Sequence, residues 1–202
     1  MNSFLIGIAG GSGSGKTFLA KKVSEMFENK VLIIQQDSYY KDLSQLNFNE
    51  RSLKNFDHPN AIDINLLKSH ISKLLIGESI DKPTYNFSNH TREDKTKTLS
   101  PKPIIILEGI LVLSFEELLK LFSLRVFIDV KPDLRFIRRL QRDIEKRNRN
   151  TIDVCKQYLS FVRPMHEKFV KPSKKSSDII IKNDNNYKNL FNIIERVLAK
   201  SL

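Results

Sequence analysis

Residues Gly10, Gly11, Ser12, Gly13, Ser14, Gly15, Lys16 and Thr17 follow directly on the apolar run Phe4 to Ala9 and lead into the helix-like stretch Phe18 to Phe27. They fit G-x-x-x-x-G-K-[ST] at every fixed position, a pattern whose glycines let successive backbone N–H groups turn toward one anion at the start of a helix. The segment needs a strand behind it and a helix in front of it, with the ligand at the carboxyl edge of a sheet. Lys16 is then placed to serve β- and γ-phosphates and Thr17 a Mg²⁺ ion, so a nucleoside triphosphate is the expected guest. Two plainer readings fit less well. A Gly/Ser linker has no work between a strand and a helix, and the dinucleotide turn G-x-G-x-x-G fails because Lys16 stands where the third glycine after Gly11 and Gly13 would fall.

Further short apolar runs at Val31 to Gln35, Ile104 to Leu107, Arg125 to Val130 and Asp178 to Ile181 alternate with helical patterns at Lys16 to Glu28, Ile64 to Leu75, Phe115 to Leu121, Pro132 to Lys146, Ile152 to Phe169 and Tyr187 to Ala199. Continuous apolar strands alternating with helices predict an α/β fold, a parallel sheet with helices on both faces. Two places break the alternation. Residues 77–103 are polar, edged by prolines, and carry the alternating Thr84, Tyr85, Asn86 and Phe87, which predicts a small hairpin excursion. The arginine-loaded break around 142–152 is where a mobile lid would sit.

The chain has 202 residues, which predicts one domain with a small inserted element. Its net charge of +11 suits a phosphate-rich partner without choosing among nucleotide, nucleic acid and anionic membrane. Cys155 is the only cysteine, so no intrachain disulfide can form and a reducing compartment is expected. No secretory leader is read at the N-terminus, and the run Ile104 to Leu113 is too short to span a bilayer, which predicts a cytoplasmic protein with no membrane partner. None of the 4 histidines has a second histidine or a cysteine at metal-ligand spacing, which speaks against zinc.

In parallel sheets ligands gather at the carboxyl ends of the strands. Asp37 follows the second strand and lies beside the phosphate loop if that strand neighbours the first. There it could accept or orient an attacking hydroxyl proton, or simply form a turn or helix cap; position alone leaves both open. Glu108 ends the third strand, where a carboxylate can hold Mg²⁺ opposite Thr17, and burying it inside an apolar run without a partner would be costly. Arg135, Arg138, Arg139 and Arg142 share a helix, followed by Arg147 and Arg149 in the break. Arg135 and Arg138 read as a solvated face, whereas Arg147 and Arg149 are placed to close over phosphate. Tyr85 and His90 are five apart, so only a turn or bulge would let both address one ligand. Asp57, His58, Pro59 and Asn60 read as a turn before a helix.

The segments QDSYYKD (36–42), NFDHPNAID (55–63), PTYNFSNHTR (83–92), IIILEGIL (104–111), RRLQRDIEKRNR (138–149) and FVRPMHEKFVKPS (161–173) resemble the uridine kinases (uridine/cytidine kinases) of pyrimidine salvage over nearly the whole chain. The resemblance implies a P-loop NTPase fold and transfer of the γ-phosphoryl group of ATP or GTP, with Mg²⁺, to the 5′-hydroxyl of uridine or cytidine. It implies a catalytic carboxylate at Asp37, Mg²⁺ partners at Thr17, Glu108 and Asp37, and donor phosphates on residues 10–17. Asp57 and Arg139 would hold the ribose, Tyr85 and His90 the base, with Tyr40, Phe87 and Gln157 around them. Arg142, Arg147 and Arg149 would form the lid. The same resemblance implies a homo-oligomer, a tetramer by analogy, and no nucleic-acid partner.

The chain departs from that pattern at two places. Asn148 stands where the lid usually carries glycine, and asparagine is among the residues that best tolerate a left-handed backbone. The loop Lys182, Asn183, Asp184, Asn185, Asn186 replaces a Pro-Arg-Gly-Gly-like turn near the donor base, leaving ATP versus GTP open. Two competing functions are a sibling kinase of another small alcohol and a non-catalytic nucleotide-sensing or nucleic-acid-binding protein.

Overall fold

The computed structural model describes residues 3–182 and 188–199. In chain order the strands are β1 (Phe4–Gly10), β2 (Val31–Gln35), β3 (Ile80–Asn86), β4 (Thr91–Leu99), β5 (Ile104–Glu108), β6 (Leu124–Asp129) and β7 (Ile179–Lys182). The helices are α1 (Lys16–Met26), α2 (Phe48–Ser52), α3 (Ile64–Leu75), α4 (Glu116–Leu119), α5 (Pro132–Arg147), α6 (Thr151–Gln157), α7 (Arg163–Met165), α8 (Lys171–Ser173) and α9 (Lys188–Ala199). Five strands form a parallel sheet in the order β2-β5-β1-β6-β7, and β3 and β4 form a separate antiparallel hairpin.

Period-2 geometry divides each central strand between two cores. Leu5, Ala9, Leu32, Ile34, Ile105, Leu107 and Phe127 face one side, which α3 covers with Leu67, Ile71 and Leu74. Ile6, Ile8, Ile104, Ile106, Val126 and Ile128 face the other, covered by Leu19, Ala20 and Val23 of α1 and Leu190 and Ile194 of α9. Each fully buried Leu, Ile or Val contributes about 1.5–3 kcal/mol. That is why the strands read as unbroken apolar runs: both faces are packed, as the parallel α/β pattern predicts.

Two expectations change. The second strand in the chain does not neighbour the first, because β5 lies between them; Asp37 reaches the site by way of the tight turn Gln36–Tyr39 instead. The helix predicted over Ile152 to Phe169 runs on to residue 173 and contains two wide π turns, Tyr158–Val162 and His166–Val170. Each directly precedes a short segment containing Pro164 or Pro172, and a proline has no N–H to continue a regular ladder. Arg163 and Lys171 donate their N–H groups five residues back, to Tyr158 and His166, which absorbs the defect without breaking the helix.

The divergent loop Asn183 to Asn186 and the predicted helix start at Tyr187 lie outside the described residues. Among the described residues no helix is long and apolar enough to cross a membrane.

Candidate active site

The phosphate loop bends where β1 meets α1. Gly13 sits at φ 80°, and a Cβ there would strike the carbonyl of Arg135, so both conformation and space demand glycine. Lys16 is buried and its Nζ donates to the Gly11 carbonyl at 3.1 Å. Burial pushes its pKa down, and the carboxylates of Glu108 and Asp37 work against that shift. Thr17 donates from Oγ1 to Glu108 Oε1 at 2.7 Å. Glu108 is also buried, which raises its pKa against the opposing pull of Lys16. The result is a desolvated ammonium, a hydroxyl and a carboxylate grouped at the carboxyl edge of β1 and β5. Thr17 and Glu108 provide the hard oxygen donors that Mg²⁺ takes. Gly109 is required by a close approach, since a Cβ there would overlap the Gln36 side chain, whose Oε1 accepts from the Leu111 N–H at 3.0 Å.

The arginines of α5 lie along the loop. Arg135 is a correction to the sequence reading: it is not a solvated face but 3% exposed, packed against Gly11 and Gly13, with Nε donating to the Val130 carbonyl at 3.0 Å. The helical period placed it on the same face as Arg139, one turn on, and that face is the buried one. Arg138 is exposed as expected. Arg139 donates from Nη1 to Ser12 Oγ at 2.7 Å and from Nη2 to Gln157 Oε1 at 2.9 Å, and Arg149 joins the same Gln157 oxygen at 2.6 Å. Asn148 ends α5 in the left-handed region at φ 50°, ψ 38°, the conformation a glycine would otherwise supply. Arg142 pairs with Asp143, and the Arg147 guanidinium lies 5.3 Å from the Phe87 ring centre, touching the tip of the hairpin.

On the other side of Asp37 stands a box of rings. The Tyr40 hydroxyl reaches Asp37 Oδ1 at 3.5 Å, its ring lies 5.2 Å from Tyr85, and Tyr85 lies 5.3 Å from Phe87. Phe56 touches Tyr40 edge-on and stacks on His90 at 4.9 Å, 18° from parallel. The turn that lets Tyr85 and His90 share one box is present: β3 ends at Asn86, and His90 re-enters at φ 56° before β4. The Tyr85 hydroxyl is buried and, among the described residues, without a hydrogen-bond partner. Burial and the nearby Arg149 and Arg51 push the His90 pKa down, which favours the neutral ring. Asp57 is buried beside the box, its pKa raised by desolvation and held back chiefly by Arg139.

The model of the phosphoribulokinase/uridine kinase family matches residues 5–188 of this chain. A uridine kinase of Geobacillus sp. (strain WCH70) is 52% identical over 178 residues, covering 88% of this chain and 84% of that protein. One from Brevibacillus brevis is 48% identical over 181 residues, covering 89% and 85%. The chain belongs to the phosphoribulokinase/uridine kinase family. The fold agrees: phosphoribulokinase from Rhodobacter spheroides superposes with a TM-score of 0.65 at 14% identity, over 90% of this chain and 70% of that one.

Within this member of the family, three side chains at the site escape the sequence reading. Phe56 and Phe48, which lies 6.3 Å from His90, complete the ring box. Arg92 pairs in register with Tyr85 and donates from Nε to the Tyr40 carbonyl at 2.7 Å and from Nη2 to Asp63 Oδ2 at 3.2 Å. It therefore ties the hairpin to the segment that carries Asp37. Phe56 and Arg92 both stand in segments that carry the family resemblance, and their fixed places beside Asp57 and His90 were the available signal.

Proposed function

We propose that this chain is a uridine kinase that transfers the γ-phosphoryl group of ATP or GTP to the 5′-hydroxyl of uridine or cytidine. The junction at Tyr40 carries the proposal: its hydroxyl contacts Asp37, its ring contacts Tyr85, and so the carboxylate and the ring box address one bound molecule. The naming of relatives at about half identity as uridine kinases supports the same acceptor.

In this scheme residues 10–17 cradle the donor phosphates, with Lys16 on the β- and γ-groups. Thr17 and Glu108 would hold Mg²⁺, with Asp37 nearby. When bound, such an ion would supply positive charge against the negative charge that develops on the transferring phosphate. Asp57 and Arg139 hold the ribose; Tyr85 and His90 hydrogen-bond the pyrimidine edge, with Phe87 and Tyr40 as walls. Asp37 accepts the 5′-hydroxyl proton while the oxygen forms its bond to the γ-phosphorus and the bond from that phosphorus to the bridging oxygen breaks, releasing the nucleoside diphosphate. Arg142, Arg147 and Arg149 close over the transferring group, with Gln157 holding Arg139 and Arg149 in place.

A coupled assay of donor consumption with uridine, cytidine and their deoxy forms, run with ATP and GTP, tests this. Uridine-dependent turnover is expected. Inert uridine with an active alternative alcohol would move the chain to a sibling kinase. No turnover with any nucleoside, together with steeply salt-dependent nucleic-acid binding, would make it a binder.

A further inference from the structure

Among the described residues Asp143 is the one fully buried carboxylate outside the assigned site, at 0% exposure. A carboxylate so placed is tolerated only with partners, and the partners here are the arginines themselves. Arg142 donates to Oδ1 from Nε at 2.9 Å and from Nη2 at 2.8 Å. Arg147 Nε lies 3.7 Å from Oδ1, and Arg139 Nε lies 3.5 Å from Oδ2. Arg142 is thus hydrogen-bonded to the carboxylate, while Arg139 and Arg147 turn their Nε edges to it at ion-pair distance only, and among the described residues Arg139 Nε and Asp143 Oδ2 have no hydrogen-bond partner. The terminal nitrogens of Arg139 are left for other acceptors and find Ser12 of the phosphate loop and Gln157. The main chain takes part as well: the Asp143 carbonyl accepts the N–H groups of Asn148 and Arg149, which sets where α5 stops and where Arg149 departs.

A guanidinium fixed at Nε presents its terminal nitrogens in a known direction, and that fork matches phosphate oxygens. We propose that Asp143 is a positioning residue for phosphoryl transfer, holding the lid arginines Arg142 and Arg147 by their Nε edges so that the terminal nitrogens it leaves free serve the donor phosphates, while Arg139 beside it keeps its own place on Ser12 and Gln157. The identity of that phosphate rests on the uridine kinase proposal above. Asp143 itself touches no substrate in this scheme and acts through the arginines.

Geometry and bare charge predict opposite signs. Deleting one negative charge beside an anion site tightens anion binding if charge is all that Asp143 supplies; losing the alignment of the two lid arginines weakens it. Asp143→Asn keeps the shape and removes the charge. Titration calorimetry with inorganic tripolyphosphate should show about tenfold weaker binding by the folded full-length variant, in line with the loss of outer-shell partners at other sites. With ATP and uridine, kcat should fall on the order of 10- to 100-fold while the uridine KM stays within about threefold, a split that a loss of folded protein does not produce. Equal or tighter tripolyphosphate binding by the folded variant overturns the proposal. Should the variant not fold, the wild-type structure with a bound ATP analogue decides: Arg142 Nε stays on Asp143, or it has left and the idea fails. A wild type inert toward uridine sinks the kinase assignment alone, because the tripolyphosphate comparison still judges Asp143.

Discussion

The two ends of the site are built in different ways. In the proposed scheme the phosphate end is one unbroken segment, residues 10–17, in which backbone N–H groups and glycine geometry do the recognition, with the buried Lys16 in the segment and the buried Glu108 added from β5. The proposed acceptor end is assembled from side chains of three separated segments: Tyr40 after β2, Phe56 and Asp57 before α3, and Tyr85, Phe87 and His90 around the hairpin turn. A contiguous backbone device tolerates change around it and is shared by many enzymes. A dispersed side-chain device can be altered one residue at a time, and in the proposed scheme the choice of acceptor resides there.

The largest expected effect lies at the boundary between the ends. Asp37→Asn should leave triphosphate binding in place and lower turnover by about 10²- to 10⁴-fold, the usual consequence of losing a general base; turnover near wild type in steady-state kinetics would remove Asp37 from the mechanism. Tyr85→Phe should act on the acceptor end alone. Its hydroxyl has no partner among the described residues, so deleting it should leave thermal stability unchanged or slightly higher. The uridine KM should rise about 5- to 30-fold, because the pyrimidine loses a hydrogen bond, while the donor KM holds. A lower melting temperature with an unchanged uridine KM would make Tyr85 a structural residue.

The smallest effect lies outside both ends, at His166 on the helix behind the phosphate loop. His166, facing Arg135, Glu167, Lys171 and Lys16, has its pKa pushed down to about 4, chiefly by burial. Between pH about 6.5 and 4 the unfolded chain therefore binds a proton that the folded chain refuses, and stability is lost as pH falls through that window. His166→Phe should lose less melting temperature between pH 7 and 4.5 than the wild type does. An identical loss would show that His166 is not among the groups responsible.

How much of this was legible follows the same division. The sheet, its strands and the hairpin could be read because packing on both faces leaves an apolar run and packing on one face leaves a period. The phosphate loop could be read because its residues are neighbours in the chain. Arg135 was misread because a helix face shows its spacing but not what lies against it, and the tight loop at Gly11 and Gly13 makes that face the buried one. Asp143 was passed over because one acid among many arginines looks like ordinary surface charge; only its depth and the Nε contacts reveal it. Phe56 was silent for a third reason, since a lone aromatic carries no sign of which ring it will stack on.

The division into two ends is tested most directly by equilibrium binding of uridine and of a non-hydrolysable ATP analogue, each alone, to the wild type, Lys16→Met and Tyr85→Phe. A crossed pattern is expected: Lys16→Met loses the analogue and keeps uridine, and Tyr85→Phe weakens uridine and keeps the analogue. If either folded variant loses both ligands to the same degree, the ends are not separate devices and the account is wrong.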